Sequence, residues 1–140
     1  MIGTPQTLGN ETILVVDDER FVLSCVTSTL RHAGFRVLEA ASPEEALRIG
    51  LAHRDAIDLI VCDVVMPGLT GPALVEELAV LHPESQCLFM AGLPDHPDVH
   101  RHILQRGRDF LPKPFFPREL VAKVRGMLKE APPKAMVAGA

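Results

Sequence analysis

From residue 12 to residue 16 the chain reads TILVV, apolar and β-branched with no polar alternation. That pattern predicts a strand covered on both faces. Residues 19 to 33 change period: Val22, Cys25, Val26, Thr29 and Leu30 recur at three- and four-residue spacing, and the run stops at Gly34. This predicts an amphipathic helix closed by glycine. Residues 35 to 40 predict a second strand. Ser42-Pro43-Glu44-Glu45 then supplies a capping serine, a proline at the first helical position and a glutamate at the third, opening a helix that runs to about residue 51. Residues 59 to 62 predict a third strand, which ends on Asp63. A helix follows over 72 to 81, with Ala73, Leu74, Leu78 and Leu81 apolar, and a fourth strand over 86 to 90. A weaker helix at about 98 to 105, a brief strand at 109 to 111 and a helix from 117 to 129 complete the series.

Five strands alternating with five helices through short connections predict an α/β fold, a parallel sheet with helices on both faces. The length of 140 residues suits one domain. It is placed at residues 11 to 130, between a flexible segment at 1 to 10 and a disordered tail at 131 to 140. Hydrophobic residues make up 47% and charged residues 23%, and the net charge of -4 gives no footprint for nucleic acid or an anionic membrane. No apolar run approaches the roughly 18 residues of a membrane span, and no signal peptide is visible. The expected location is the cytoplasm. Cys25, Cys62 and Cys87 are odd in number and lie in apolar runs, so they are expected to be small buried hydrophobes of a reducing compartment.

In such sheets ligands sit beyond the carboxyl ends of the strands. Asp17 and Asp18 follow the first strand and Asp63 ends the third, so three carboxylates converge on one edge. Gathered acids repel one another and call for a cation or a raised pKa. A hard divalent ion such as Mg²⁺ answers this, since it binds through one or two carboxylates and keeps waters. The plainer reading of Asp17 and Asp18 is that they cap the following helix. FLPKPF adds Lys113, flanked by prolines just past the fifth strand, where a cis Lys-Pro bond is readily accommodated. Alone it reads as a solvated loop lysine with little bearing on stability. With the acids it makes a phosphoryl-transfer set: carboxylate nucleophile, metal and fixed cation.

The motifs ILVVDDE, LIVCDVVMPGLTG, LFMAG and FLPKPF, in that order and at those strand ends, resemble the receiver domain of bacterial response regulators. The likeness extends over residues 11 to 128. It implies a flavodoxin-like sheet of order 2-1-3-4-5, with Asp63 as the phosphoacceptor. It further implies Mg²⁺ held by Asp17, Asp18, Asp63 and the backbone carbonyl of Val65, with Lys113 against the phosphoryl group. Gly68 and Gly71 match the turn after the acceptor, where glycine lets the chain pass close to the site. The implied partner is a histidine kinase or a histidine phosphotransfer protein. A homodimer through the face of the fourth and fifth elements is left open.

The chain departs from that pattern at Ala91, where the family carries Ser or Thr. In the family this hydroxyl meets the phosphoryl group and draws along an aromatic residue, here Phe110. Val65 and Leu93 occupy places that flank the route of hydrolytic water, and both are apolar. His96, His100 and His102, and Arg101, Arg106 and Arg108, read as solvated positions. Fewer than about 15 residues follow the last helix, so no DNA-binding domain is expected on this chain, and the wording GLPDHPD and FLPKPFFPREL suits a receiver attached to a hybrid sensor kinase. Three functions compete: a phosphoacceptor module, a degenerate receiver that only binds partners, and a small enzyme on a flavodoxin-like sheet. The last lacks a glycine-rich cofactor loop after the first strand.

Overall fold

Five parallel strands, β1 (Thr12–Val16), β2 (Arg36–Ala40), β3 (Leu59–Asp63), β4 (Gln86–Gly92) and β5 (Asp109–Lys113), form one sheet in the order β2-β1-β3-β4-β5. This computed structural model describes residues 10–92 and 109–130. The helices within them are α1 (Arg20–His32), α2 (Pro43–Ala52), α3 (Gly71–Leu81) and the C-terminal α4 (Pro117–Glu130). The expected helix at about 98 to 105 and the expected behaviour of the termini lie outside the described residues. No described helix is long and apolar enough to cross a membrane.

Every residue of β1 and β3 is buried. They hold the centre of the sheet and meet a helical layer on each face, which is why neither alternates. The period of two is still present, hidden by the fact that both faces are apolar. Ile13, Val15, Leu59 and Val61 pack with α1 residues Leu23, Val26 and Leu30 and α4 residues Leu120, Val124 and Met127. Leu14, Val16, Ile60 and Cys62 pack with α3 residues Leu74, Val75 and Leu78.

The helix ends follow their local sequences. After α1, Gly34 takes φ +106, its N–H donates to the Arg31 carbonyl at 3.0 Å, and the Phe35 N–H donates to that of Leu30 at 3.2 Å. These two bonds consume carbonyls that the helix end leaves open. At α2 the Glu45 N–H donates to Ser42 Oγ at 3.1 Å, and Glu45 Oε1 accepts from the Ala41 N–H at 2.6 Å. This is the expected capping box, with the return bond moved one residue outward.

Four sequence expectations need correction. The buried face of α1 is Leu23, Val26, Thr27 and Leu30, with a 3-4-7 spacing offset from the one expected. Cys25 is therefore exposed; only Cys62 and Cys87 are buried. Strand β4 runs two residues further than expected and pairs Ala91 with Pro112 and Gly92 with Lys113. Strand β5 is longer for the same reason, and Pro112 is tolerated because β5 is an edge strand.

One contact fixes the carboxyl edge of β3. The Gly71 N–H donates to the Val64 carbonyl at 2.7 Å, bringing the start of α3 against the backbone at the end of β3. A Cβ at Gly71 would lie 2.3 Å from the Asp63 carbonyl oxygen, so only glycine fits. Gly71→Ala is expected to destabilise the protein by roughly 1 to 3 kcal/mol and to shift the amide NMR signals of Asp63 and Val64. Gly126→Ala in α4 meets nothing within 4 Å and is expected to stabilise by up to about 1 kcal/mol. Urea unfolding of the two variants checks both signs.

Candidate functional site

Position 17 continues the β1 alternation of Ile13 and Val15, and position 63 continues that of Leu59 and Val61. Lys113 likewise follows Leu111 on β5, and all three fall on the α1/α4 side of the sheet. Parallel strands bring their carboxyl ends to one edge, so side chains 96 positions apart in sequence meet there.

Asp17 is fully buried. Its Oδ1 accepts the Glu19 N–H at 2.9 Å, and its Oδ2 lies 3.1 Å from Lys113 Nζ. Asp17 thus orders the start of α1, as the capping reading expects, and has a second oxygen committed to the lysine. The residue at the N-cap position is Glu19, which makes no side-chain cap bond. Asp63 is 8% exposed, and its Oδ1 lies 3.2 Å from the same ammonium. Asp18 is exposed. One oxygen from each of Asp17, Asp18 and Asp63 can be chosen so that all lie within 4.8 Å of one another.

The electrostatics follow from that crowding. Burial pushes the Asp63 carboxyl up; Lys113 pulls it down, while Asp17 and Asp18 push it up, and the balance lies at about 6. Burial alone would lower Lys113, but Asp63 and Asp17 outweigh it and hold the ammonium above the ordinary lysine range. The side chain of Lys113 is 19% exposed. It is not the solvated loop lysine its neighbours in sequence suggest: it is the last residue of β5, and the Lys113–Pro114 bond is cis.

Glu19 belongs to the same cluster, with Oε1 3.9 Å from Lys113 Nζ. Sequence reasoning did not single it out, although its signal was present as the third acid of the DDE run. Ala91 and Phe110 both pack on the α2/α3 layer, against a cluster that includes Phe89. They therefore lie on the opposite face of the sheet from Asp17 and Lys113. Val65 follows in the turn after β3 and is 43% exposed. Leu93, the three histidines and the three arginines of residues 93 to 108 lie outside the described residues.

Such an arrangement offers one nearly buried carboxylate, an adjacent fixed cation and an exposed acid on the solvent side. It suits attack by a carboxylate on an electrophile that arrives with negative charge, because the ammonium is already in place to receive it. The donor set is hard oxygen throughout, the chemistry preferred by Mg²⁺.

Comparison with known proteins agrees. The sensor kinase CckA of Brucella abortus is 36% identical over 122 residues, covering 87% of this chain and 13% of that protein. The transcriptional regulatory protein YvrH of Bacillus subtilis is 34% identical over 124 residues, 86% of this chain and 50% of that one. The chain thus spans half or less of the length of these relatives. Among solved structures, the receiver domain of the hybrid histidine kinase CckA superimposes with TM-score 0.70 at 35% identity, covering 84% of this chain and 98% of that one. A CheY-like receiver from Methanospirillum hungatei gives 0.76 at 27% identity, with 86% and 95% covered. The model of the response regulator receiver domain matches residues 13–125, and with this fold and this carboxyl edge the chain belongs to that family.

Proposed function

We propose that the chain is a phosphoacceptor of a two-component phosphorelay, with Asp63 as the residue modified. The observation that carries this reading is the position of Lys113 Nζ, 3.1 Å from Asp17 and 3.2 Å from Asp63, beside three carboxylates whose oxygens converge within 4.8 Å. The donor is a phosphohistidine of a histidine kinase or phosphotransfer protein. An Asp63 carboxylate oxygen forms the new P–O bond as the P–N bond to the donor imidazole breaks, and the electron pair returns to the imidazole nitrogen.

Asp17, Asp18 and Asp63, with the Val65 carbonyl, are the groups that would hold Mg²⁺. When bound, the ion supplies charge neutralisation for the acids and the phosphoryl oxygens. Lys113 supplies the fixed positive charge at the phosphoryl group, and Asp17 holds the ammonium in place through Oδ2. Asp17 is itself fixed by the Glu19 N–H. The apolar Val65 side chain at the mouth disfavours positioning of water for hydrolysis of the acyl phosphate. Membership of the family and the free thiols suit a cytoplasmic setting, and the likeness to the CckA receiver supports a place in a relay fed by a hybrid kinase.

Ala91 favours the competing reading, a receiver that binds partners without phosphorylation, because it offers no hydroxyl to the modified site. The acids and lysine are otherwise complete, so the first reading is preferred. Incubation with phosphoramidate and Mg²⁺, followed by intact mass measurement, separates them. The expected result is a gain of one phosphoryl group that is lost in Asp63→Asn; no gain in the wild-type protein assigns the chain to the competing reading.

Lys113→Ala is expected to lower the stability of the metal-free protein by roughly 1 to 3 kcal/mol, because it leaves Asp17 and Asp63 uncompensated where water is scarce. Saturating Mg²⁺ should recover much of that loss, and thermal melts with and without the ion measure it.

The Asp63 carboxyl, raised from 3.8 to about 6 in the folded protein, also fixes a pH dependence in chelator. The folded state binds the proton more tightly than the unfolded chain does, so Asp63 opposes folding above about pH 6 and ceases to do so as pH falls toward 4. Asp63→Asn is accordingly expected to raise the melting temperature at neutral pH and to flatten the profile between those values.

Ala91→Ser, carrying a beryllofluoride group on Asp63, is expected to give larger amide shifts around Phe110 than the wild-type protein does. The added hydroxyl supplies a hydrogen bond to a charged group, about 1.5 to 3 kcal/mol. It must leave the apolar packing around Ala91 to do so. Equal shifts in the two proteins would show that another donor meets that oxygen.

A further inference from the structure

At the pole opposite the acids, α2 and α3 end side by side, and His82 closes α3. The ring is 5% exposed. Its Nε2 lies 2.8 Å from the carbonyl oxygen of Gly50 in the last turn of α2, and its Nδ1 lies 2.9 Å from Glu84 Oε2. Both are distances of direct hydrogen bonds, with no gap for an intervening water. A carbonyl oxygen can only accept, and so can an ionised carboxylate. A neutral imidazole has one N–H and one lone pair, so it would satisfy one of these oxygens and turn its lone pair against the other. An imidazolium satisfies both.

The surroundings point the same way. Glu84 Oε2 also accepts the Ile57 N–H at 3.0 Å. Burial works to raise the Glu84 carboxyl, but the His82 ring and the backbone N–H groups of Glu84 and Ile57 outweigh it and hold it below the ordinary carboxylate value. A protonated Glu84 is thus not the source of the missing hydrogen. The last-turn carbonyls of α2 and α3 carry partial negative charge, which favours a cation beside them. Neither helix has a basic residue in its last turn. His53, at the C-cap of α2, is the other titratable ring nearby, with its centroid 6.3 Å from that of His82. A charge there would disfavour a second cation, but Glu84 is in direct contact and His53 is not, so the attraction dominates.

We infer that His82 is a buried imidazolium in the folded protein, a proton-dependent tie that caps α2 through Gly50 and joins α3 to Glu84 and, through Glu84, to the chain leading into β3. Gly50 lets the two helices approach closely: a Cβ there would lie 2.8 Å from Leu78 Cδ2, and that side chain would have to shift. Helix α3 is then held at both ends, by Gly71 against the Asp63 backbone and by the His82 proton at its far end. Loss of that proton leaves a lone pair facing an oxygen and loosens the far end of the helix.

Ring-nitrogen NMR of the ¹⁵N-labelled chain at neutral pH tests this, with His82 assigned by the signals missing in His82→Gln and the exposed His32 as internal comparison. The expected result is a His82 ring with both nitrogens protonated and N–H signals that persist in slow exchange. Split nitrogen shifts of a single neutral tautomer at His82 would overturn the inference. Glu84→Gln, which keeps an acceptor but removes the charge, should shift His82 to the neutral pattern at the same pH and make the urea midpoint less dependent on pH across the neutral range. An unchanged His82 spectrum in that variant, or wild-type and Glu84→Gln midpoints that run parallel with pH, would equally overturn it.

Discussion

The carboxyl edge of the sheet depends on the ammonium of Lys113 between two carboxylates that water barely reaches. Asp17 is fully buried and Asp63 nearly so, and an adjacent cation offsets the cost of gathering such carboxylates away from water. Lys113 meets both within about hydrogen-bond distance, yet burial, with Asp17 and Asp18 adding to it, still leaves the Asp63 carboxyl raised to about 6. That balance leaves the edge suited to a further positive charge. A divalent ion or a proton placed there would offset the crowded carboxylates.

Precise placement of Asp63 comes from backbone contacts on both sides of it. The strand is paired with β1 and β4 along its length, and the Val64 N–H donates to the Met90 carbonyl at 3.0 Å, one residue beyond the last pair. The turn then returns so closely that Gly71 has no space for a side chain. The same helix that presses on β3 at Gly71 ends at His82, in contact with the end of α2 and with Glu84. The acid cluster at one pole and the His82 contacts at the other thus lie at the two ends of the eleven residues of α3.

Ala91 and Phe110 lie across the sheet from the acids, on the α2/α3 layer. The alanine side chain offers no hydroxyl to the acids across the sheet, and the backbones of β4 and β5 are paired as far as Gly92 and Lys113.

The elements and the acidic edge were legible in the chain itself, because the apolar runs of β1 and β3 each end on aspartate and helix boundaries carry their own signals at Ser42 and Gly34. The order of the strands was not: parallel strands joined by helices obey the same local patterns in several orders, and 2-1-3-4-5 came with the family resemblance rather than from the residues. Local pattern also misplaced the buried face of α1, since Cys25 and Leu23 are both apolar and only packing against β1 and α4 selects between them. Lys113 and His82 show the same division most sharply. In sequence each is a polar residue beside a proline, and apart from Glu84, two residues from His82, the groups that hold them are distant. Their partners, Asp17 and Gly50, lie 96 and 32 positions away, and a charge acquires its environment only when the fold removes the water around it.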